Sequence, residues 1–493
     1  MILSFVVLYL LVSVGIGLYA ATRVHNTKDF AVAGRSLPLP VVTATVFATW
    51  FGAETVLGIS ATFVKDGLRG VVADPFGSSL CLILAGLFFA RRFYRLNLLT
   101  IGDYYRLRYN RSVEVLCTLC IVASYLGWVS AQIKAMGLIF NVVTDGVVGQ
   151  PVGMVVGAAI VLTYTVFGGM FSVAILDFVQ ITIIMGGMLY IGAVVSGLAG
   201  GVGAVLDHAS AAGRLAFFPT GGFEAWLPFV GAWITMMLGS IPQQDVFQRI
   251  TSAKDEVTAV RGSVLGGSLY FVFAFVPMFL AYAAMLVDPV VFGSLLAQDS
   301  QLVLPTLILQ HTPVAAQIIF FGAVLSAIMS CSSATLLAPS IAFSENILKD
   351  LIPGMDERAF LRTMRTALVC FTGMVLVFAL NSEASIFKMV ESAYKVTLVA
   401  AFIPLVAGLY WTRATSQGAL AAIGAGLVTW IGLELFGRHN DVWPPQLAGF
   451  LMAGAGMLAG SWLPPLRRML PLSRRAPASV KVPTGIRLRS PAE

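Results

Sequence analysis

Apolar stretches of about twenty residues recur along the whole chain and are separated by short polar loops. An α-helix of that length matches the thickness of the hydrocarbon core of a bilayer. The pattern therefore predicts an all-α integral membrane protein. Thirteen spans are expected, near residues 2–22, 41–64, 71–90, 114–142, 152–166, 173–198, 226–247, 263–287, 314–347, 364–381, 386–410, 416–436 and 445–464.

Two of these spans are interrupted in the middle. The second span contains "WFGAE" (50–54), with a glycine and a carboxylate, and the seventh contains "GSIPQQD" (239–245), with a proline. Paired interruptions are typical of transporters with inverted repeats, because half-helix ends expose backbone groups at a substrate site in mid-membrane. The predicted organisation is an extra N-terminal helix (1–22), two inverted five-helix repeats (41–198 and 226–410), two C-terminal helices (416–464) and a tail (465–493).

Composition and charge support a membrane protein and set its expected orientation. The chain is 58% hydrophobic and only 11% charged, against about 25% charged residues in a soluble domain. Most of the 31 Lys and Arg fall in alternate loops and in the tail. The positive-inside rule then predicts an external N-terminus and a cytoplasmic C-terminus in the inner or plasma membrane. The basic tail, rich in Pro and Ser, is expected to be disordered.

The net charge of +7 is accounted for by loops that face an anionic leaflet, so no nucleic acid partner is expected. No motif of covalent catalysis is recognised in the chain, and an enzyme is not expected. The expected partners are a small organic solute, Na⁺ and the lipid bilayer, with a homodimer left open. No cofactor is expected other than the coupling ion.

Three motifs follow one another in a characteristic order. They are "DFAVAGRSLP" (29–38), "YTVFGGMFSVAILDFVQ" (164–180) and "SAIMSCSSATLLAPSIAFSENILKDL" (326–351). Together they resemble the sodium:solute symporter family, and the resemblance extends from about residue 10 to 410. It implies the LeuT-type fold, with its five-plus-five inverted repeat, coupling to sodium, and alternating access of one solute site to the two sides of the membrane.

The resemblance also implies a sodium site between the interrupted second span and the ninth span. Its ligands fall on Ala48, Phe51, Ala327, Ser330 and Cys331. Cys331 departs from the family pattern, because a thiol is a poor ligand for a hard cation that prefers oxygen. Coupling to protons instead of sodium therefore stays open.

Asp177 is an intramembrane carboxylate, which is a functional hypothesis by default because a charge there is costly. The resemblance places it on the sodium exit path or, together with Ser333, in a second sodium site.

The stretch "ATWFGAETVLGISATFVKDGLRGVVADPFGSSLCLILAGLFFARR" (48–92) is most similar to the high-affinity choline transporter branch of the family. In that branch the resemblance implies an aromatic cage, and aromatic faces bind quaternary ammonium groups through cation–π attraction. Two cage tryptophans match here, and the third position is a glutamine. The predicted substrate-binding residues are Trp50, Glu54, Trp128, Gln243 and Gln244.

Several alternatives stay open at this level. A proline-like amino acid, a monocarboxylate or pantothenate is the second candidate for the solute, and a solute sensor without transport is a different class of function. Asp245 is either a solute ligand or the partner of Arg249 one turn away. Lys134 is expected about two turns inward from Trp128, where it pairs with a carboxylate or faces the internal vestibule.

Overall fold

The structure is a computed structural model that describes residues 2–437 and 443–464. Within these ranges it is built from helices and turns, with one isolated β-bridge between Leu37 and Ala253. The long helices are α1 (Ile2–Ala21), α2 (Leu39–Trp50), α3 (54–66), α4 (72–96), α5 (Arg111–Val143), α6 (Gln150–Leu198), α7 (Phe223–Gly239), α8 (Gln244–Thr251), α9 (Glu256–Val287), α10 (Val314–Leu351), α11 (Glu357–Asn381), α12 (Ile386–Tyr410), α13 (Ser416–Phe436) and α14 (Pro445–Trp462).

By length and composition, nine helices of the described residues are able to cross a membrane, or ten if the bent pair of α7 and α8 counts as one span. The all-α membrane architecture is therefore confirmed. The count of thirteen spans stays a prediction. Helix α6, for example, contains 49 residues and covers two of the predicted spans, 152–166 and 173–198. The repeat boundaries also stay predictions, and the tail 465–493 lies outside the described residues.

Both predicted helix interruptions are present. The first half-helix, α2, ends at Trp50, and Phe51 leaves the helical conformation with a ψ of 77° before α3 begins at Glu54. The second half-helix pair, α7 and α8, is bent by 46° across residues 240–243. Pro242 lies in this second break and lacks a backbone N–H, which favours the end of a helix.

Helix α10 lies at the centre of the protein, whereas α1 and α13 lie at its edge. In the most apolar 18-residue stretch of α10, 78% is buried inside the protein, against 22% in the corresponding stretches of α1 and α13. Helix α10 packs against α1, α2, α5, α6, α8 and α11. Because the break after α2 faces this central helix, its irregular backbone is enclosed by protein rather than exposed to lipid.

A glycine bends α6 where the helix meets the short helix Thr27–Val32. Gly169 has φ 49° and ψ −138°, and a Cβ at this position would overlap the carbonyl oxygen of Phe30. Only glycine adopts such a conformation without steric strain. The glycine therefore permits both the bend and the close approach of the short helix.

We expect Gly169→Ala to destabilise the protein. A left-handed conformation costs a non-glycine residue about 1–2 kcal/mol, and the contact with Phe30 adds to this cost. The apparent melting temperature of the purified protein should fall. Gly186→Ala is the matched control, because it lies on the same helix with no atom within 4 Å of the added Cβ. Equal melting temperatures for the two variants would contradict the prediction.

Candidate functional site

Three aromatic rings from three different helices meet beside the first helix break. We call Trp50 of α2, Trp128 of α5 and Tyr394 of α12 the aromatic cluster. The two indoles stack with their ring centroids 5.2 Å apart, and the phenol ring lies 5.1 Å from one indole and 5.3 Å from the other. All three side chains are fully buried. The structure thus brings together the two predicted cage tryptophans and adds a third ring.

Tyr394 was missed in the sequence analysis, although a signal for it exists. Helix α12 carries Glu391 and Lys395, and its buried residues recur at helical spacing as Ile386, Met389, Val390, Ala393, Tyr394 and Thr397. A tyrosine on the buried face of such a mixed helix has a polar hydroxyl that needs a partner. That combination could have marked Tyr394 as a residue of the site.

Several buried polar atoms around the aromatic cluster have no hydrogen-bond partner within the described residues. They include Nε1 of Trp50, the hydroxyl of Tyr394 and Oε1 of Gln243. The amide of Gln243 is held in place because its Nε2 donates to Oγ of Ser124 at 2.8 Å. Since buried polar groups in native proteins are nearly always paired, these atoms are available for a solute.

Asp245 forms an ion pair with Arg249, which decides between its two interpretations. Its Oδ2 lies 3.3 Å from Nη1 of Arg249, and both side chains are buried. Asp245 also accepts a hydrogen bond from the hydroxyl of Tyr125, whose ring stacks on Trp128 at 5.8 Å. Arg249 in turn donates to the carbonyl oxygen of Thr45 at 2.6 Å. The pair therefore links α8 to the helices that carry the cluster.

Gln244 lies away from the other predicted substrate residues. Its Oε1 accepts a hydrogen bond from the backbone N–H of Ile101 at 2.8 Å, and its Nε2 donates to the carbonyl oxygen of Leu99 at 3.4 Å. It follows Gln243 directly, so the first turn of α8 directs the two amides to different partners. Gln244 thus holds the loop before the short helix Ile101–Arg108.

The expected position of Lys134 is wrong. Its Nζ donates to the carbonyl oxygens of Ser382 at 3.1 Å and Ala384 at 2.8 Å, in the loop that precedes α12. This loop, with Lys65 and Gln150, lines a cavity of about 420 Å³ at the end of the protein predicted to be external. Helix α5 runs towards that end, so residues after Trp128 lie outward rather than inward.

The break after α2 leaves two backbone carbonyl groups at the predicted sodium site. None of the described hydrogen bonds ends on the carbonyl oxygens of Ala48 and Phe51. In a continuous helix the N–H of Gly52 would pair with Ala48, but here it turns back to Trp50, and the N–H of Ala53 donates to Gln132. Carbonyl oxygens are suitable ligands for a hard cation. Both groups therefore fit a sodium ion.

Gly52 is required at the break by the side chains that surround it. A Cβ there would lie 2.7 Å from Oε2 of Glu54, 2.9 Å from Oε1 of Gln132 and 2.9 Å from Cβ of Cys331. These separations are too short for real atoms. The absence of a side chain thus allows α5 and α10 to approach the break.

Glu54 lies beside Cys331 and also borders the aromatic cluster at Trp128. Its Oε2 accepts a hydrogen bond from Nε2 of Gln132, and its Oε1 lies 3.9 Å from Sγ of Cys331. The same thiol lies 3.6 Å from the carbonyl oxygen of Thr49. The departure from the family at residue 331 is therefore accompanied by a carboxylate oxygen nearby. Gln132 shares one face of α5 with Trp128 and was missed in the sequence analysis.

The remaining predicted sodium ligands lie on the buried face of α10. Ala327 is fully buried there. Ser330 donates its hydroxyl hydrogen to Oδ1 of Asp177 at 2.5 Å, and Oδ2 of Asp177 has no described partner. The hydroxyl of Ser333 donates to the carbonyl oxygen of Ser330 at 3.0 Å. Asp177 and Ser330 are thus in direct contact, and their role in a sodium site or exit path stays a prediction.

The chain matches the model of the sodium:solute symporter family over residues 30–426. It is 26% identical over 482 residues to high-affinity choline transporter 1 of Caenorhabditis elegans, covering 92% of this chain and 81% of that protein. High affinity choline transporter 1 of Homo sapiens is also 26% identical, over 86% of this chain and 75% of the human protein.

A solved structure of a Na⁺-coupled sialic acid symporter, bound to substrate in an outward-open state, shares the fold with a TM-score of 0.78. The two chains are 16% identical in sequence, and the match covers 97% of this chain and 99% of the symporter chain. This similarity supports the LeuT-type fold predicted from the motifs. Because the family model covers most of the chain, the protein belongs to the sodium:solute symporter family.

Proposed function

We propose that the protein is a sodium-coupled symporter of a choline-like organic cation. The observation that carries the proposal is the aromatic cluster of Trp50, Trp128 and Tyr394 beside the break of α2. Aromatic faces attract ammonium groups, and the attraction strengthens where water is excluded. The similarity to high-affinity choline transporters supports the same class of solute.

The charges around the cluster favour a cation over a carboxylate. Glu54 lies on the same break as Trp50, and the positive charge of Arg249 is paired with Asp245. Lys134 is directed to the loop before α12, away from the cluster. A solute carboxylate would thus meet a carboxylate near the cluster, whereas an ammonium group would be attracted to it.

Gln243 supplies the polar part of the proposed recognition. Its free Oε1 is a hydrogen-bond acceptor without a partner, so it suits a solute that carries an O–H or N–H group. Choline has such a hydroxyl beside its quaternary ammonium. The amide in place of a third tryptophan therefore replaces part of the cation–π attraction by a hydrogen bond.

In the proposed mechanism, sodium binds between the break of α2 and helix α10, at the carbonyl oxygens of Ala48 and Phe51 and near Ser330. The bound ion would hold the break in the geometry that positions Trp50 for the solute. Rocking of a four-helix bundle against the remaining helices then exposes the site to the other side, and sodium leaves past Asp177. The membrane potential adds about 2.3 kcal/mol per charge per 100 mV.

We further propose that the protein lies in the inner or plasma membrane with an external N-terminus and a cytoplasmic C-terminus. The distribution of Lys and Arg supports this orientation.

Uptake of labelled choline into proteoliposomes tests the proposal. We expect accumulation with an inward sodium gradient and none with a potassium gradient. Trp50→Ala should weaken the apparent affinity for choline at least about tenfold, because it removes one face of the cluster. Trp462→Ala is the control, since this tryptophan is 70% exposed at the end of the last helix.

The other outcomes separate the alternatives. Sodium-driven accumulation of proline or a monocarboxylate without choline uptake would keep symport and overturn the choice of solute. Binding of choline without accumulation would identify a sensor. Equal effects of Trp50→Ala and Trp462→Ala would contradict the role of the aromatic cluster.

A second prediction concerns the hydroxyl of the solute. Wild-type protein should bind choline more tightly than tetramethylammonium, which lacks the hydroxyl, and Gln243→Leu should reduce this preference about tenfold. Competition against labelled choline measures both affinities. The variant Gln244→Leu serves as the control, because that amide is directed to Leu99 and Ile101. An unchanged preference in Gln243→Leu would contradict the hydrogen bond.

A third prediction concerns the thiol at the sodium site. Cys331→Ser replaces a poor ligand by a hydroxyl oxygen of similar size, so the affinity for sodium should rise by about tenfold. Binding of ²²Na⁺ to purified protein measures this without any solute. Cys81→Ser, another buried cysteine, is the control. An unchanged sodium affinity in Cys331→Ser would show that residue 331 is not a ligand position, and a weaker affinity would contradict the prediction.

A further inference from the structure

A row of four oxygen atoms joins α4 to the break after α2. Oδ1 of Asp74 lies 2.6 Å from the hydroxyl oxygen of Tyr270, which lies 3.0 Å from Oγ1 of Thr55. Oγ1 of Thr55 lies 2.7 Å from the carbonyl oxygen of Trp50. All four residues are buried. The row has three contacts at hydrogen-bond distance, and each contact needs one hydrogen atom.

The hydroxyl groups alone do not supply three hydrogens. Tyr270 has one hydroxyl hydrogen and Thr55 has one, and the carbonyl of Trp50 has none to give. If Asp74 is ionised, Tyr270 donates to Asp74 and Thr55 donates to Trp50. The oxygens of Tyr270 and Thr55 then face each other at 3.0 Å with no hydrogen between them.

A neutral Asp74 provides the missing hydrogen. Its carboxyl group donates to Tyr270, Tyr270 donates to Thr55, and Thr55 donates to the carbonyl of Trp50, so every contact is satisfied in one direction. The hydroxyl of Ser78 also contacts Asp74, and it has the carbonyl oxygen of Pro75 as another acceptor at 3.2 Å. Ser78 supplies its own hydrogen for this contact, so the row still lacks one hydrogen atom when Asp74 is ionised.

The second oxygen of Asp74 is an independent observation in favour of the neutral form. Oδ2 is buried and has no hydrogen-bond partner within the described residues, and Asp74 as a whole is 1% exposed. An unpartnered buried oxygen is much more costly on an ionised carboxylate than on a neutral carboxyl group.

The groups around Asp74 do not neutralise a negative charge. The elements packed against the first turn of α4 are α3, α7, α9 and the turn before α4. From them, Glu54 and Tyr270 face Asp74, and Glu54 is itself acidic. The other charged side chains of these elements lie at the surface or are paired elsewhere. Lys65, Asp66, Arg69, Glu224 and Arg261 are exposed, and Glu256 at the start of α9 pairs with Arg91 and Arg95.

We propose that Asp74 is a proton-binding site, which holds one proton in this conformation and orders the row of hydrogen bonds that ends on the carbonyl of Trp50. Loss of the proton removes one hydrogen from the row. Either the carbonyl of Trp50 then loses the hydrogen bond from Thr55, or the hydrogen bond between Thr55 and Tyr270 is lost. The geometry at the aromatic cluster is therefore linked to proton binding on α4. This site is separate from the predicted sodium ligands and does not depend on the identity of the solute.

Infrared spectroscopy of the purified full-length protein tests the proposal, because the C=O stretching band of a carboxylic acid is separate from that of a carboxylate. We expect a carboxylic acid band at neutral pH in the wild type that decreases when the pH is raised. Because Glu54 and Asp177 are also buried carboxyl groups, the test is the difference spectrum: wild type minus Asp74→Asn should contain a carboxylic acid band, whereas wild type minus Asp66→Asn, at an exposed aspartate, should not.

A second variant keeps the carboxyl group and breaks the row. Tyr270→Phe removes the hydroxyl that contacts Asp74, so the acid band should stay but shift to a higher frequency as its hydrogen bond is lost. Absence of the band in wild type, its absence from the difference spectrum of wild type minus Asp74→Asn, or an unshifted Asp74 band in Tyr270→Phe would each overturn the proposal.

Discussion

The arrangement of this protein depends on the need to satisfy backbone hydrogen-bonding groups inside a bilayer. Each N–H or C=O left unpaired in hydrocarbon costs several kcal/mol, so a helix can be interrupted only where other protein groups enclose it. Helix α10, the most buried of the long helices, provides this enclosure for the break after α2. Gln132 from α5 supplies an acceptor for the N–H of Ala53. The carbonyl groups that stay free are then available to an ion.

Side chains from the surrounding helices convert this break into a site with distinct parts. Cys331 of α10 approaches Glu54 at the break, and Trp50 packs against Trp128 and Tyr394. Residues 48 to 55 thus contact the proposed ion site, the aromatic cluster and the row of hydrogen bonds from α4. A change at one of them alters the same short piece of backbone, which is a physical basis for coupling between ligands.

The sequence predicts much of this architecture, because hydrophobic length and helix interruptions are properties of a local segment. The breaks at 50–54 and 239–245 were accessible in this way, whereas the common role of Trp50 and Trp128 followed from the resemblance to the choline transporter branch. Tyr394 and Gln132 were not identified, since their role depends on which faces of α12 and α5 turn towards the break. The position expected for Lys134 conflicts with the predicted topology itself. The fourth span starts on the predicted cytoplasmic side, so residues after Trp128 on α5 approach the predicted external end. The sequence could not show that Gln243 and Gln244 have different partners. Adjacent residues at the start of a helix point in different directions, and which of them faces the site depends on how α8 is rotated about its axis.

The contact between the rings of Trp50, Trp128 and Tyr394 has a consequence for leakage. The rings lie about as close as aromatic pairs in a protein core, so they fill the space between α2, α5 and α12 beside the break. A small inorganic ion would have to give up its hydration to pass between them and would gain little from the ring faces. An organic cation is large enough to part the rings and contact them at the same time. The cluster therefore acts as a seal when the carrier is empty, and it limits the passive loss of the ion gradient.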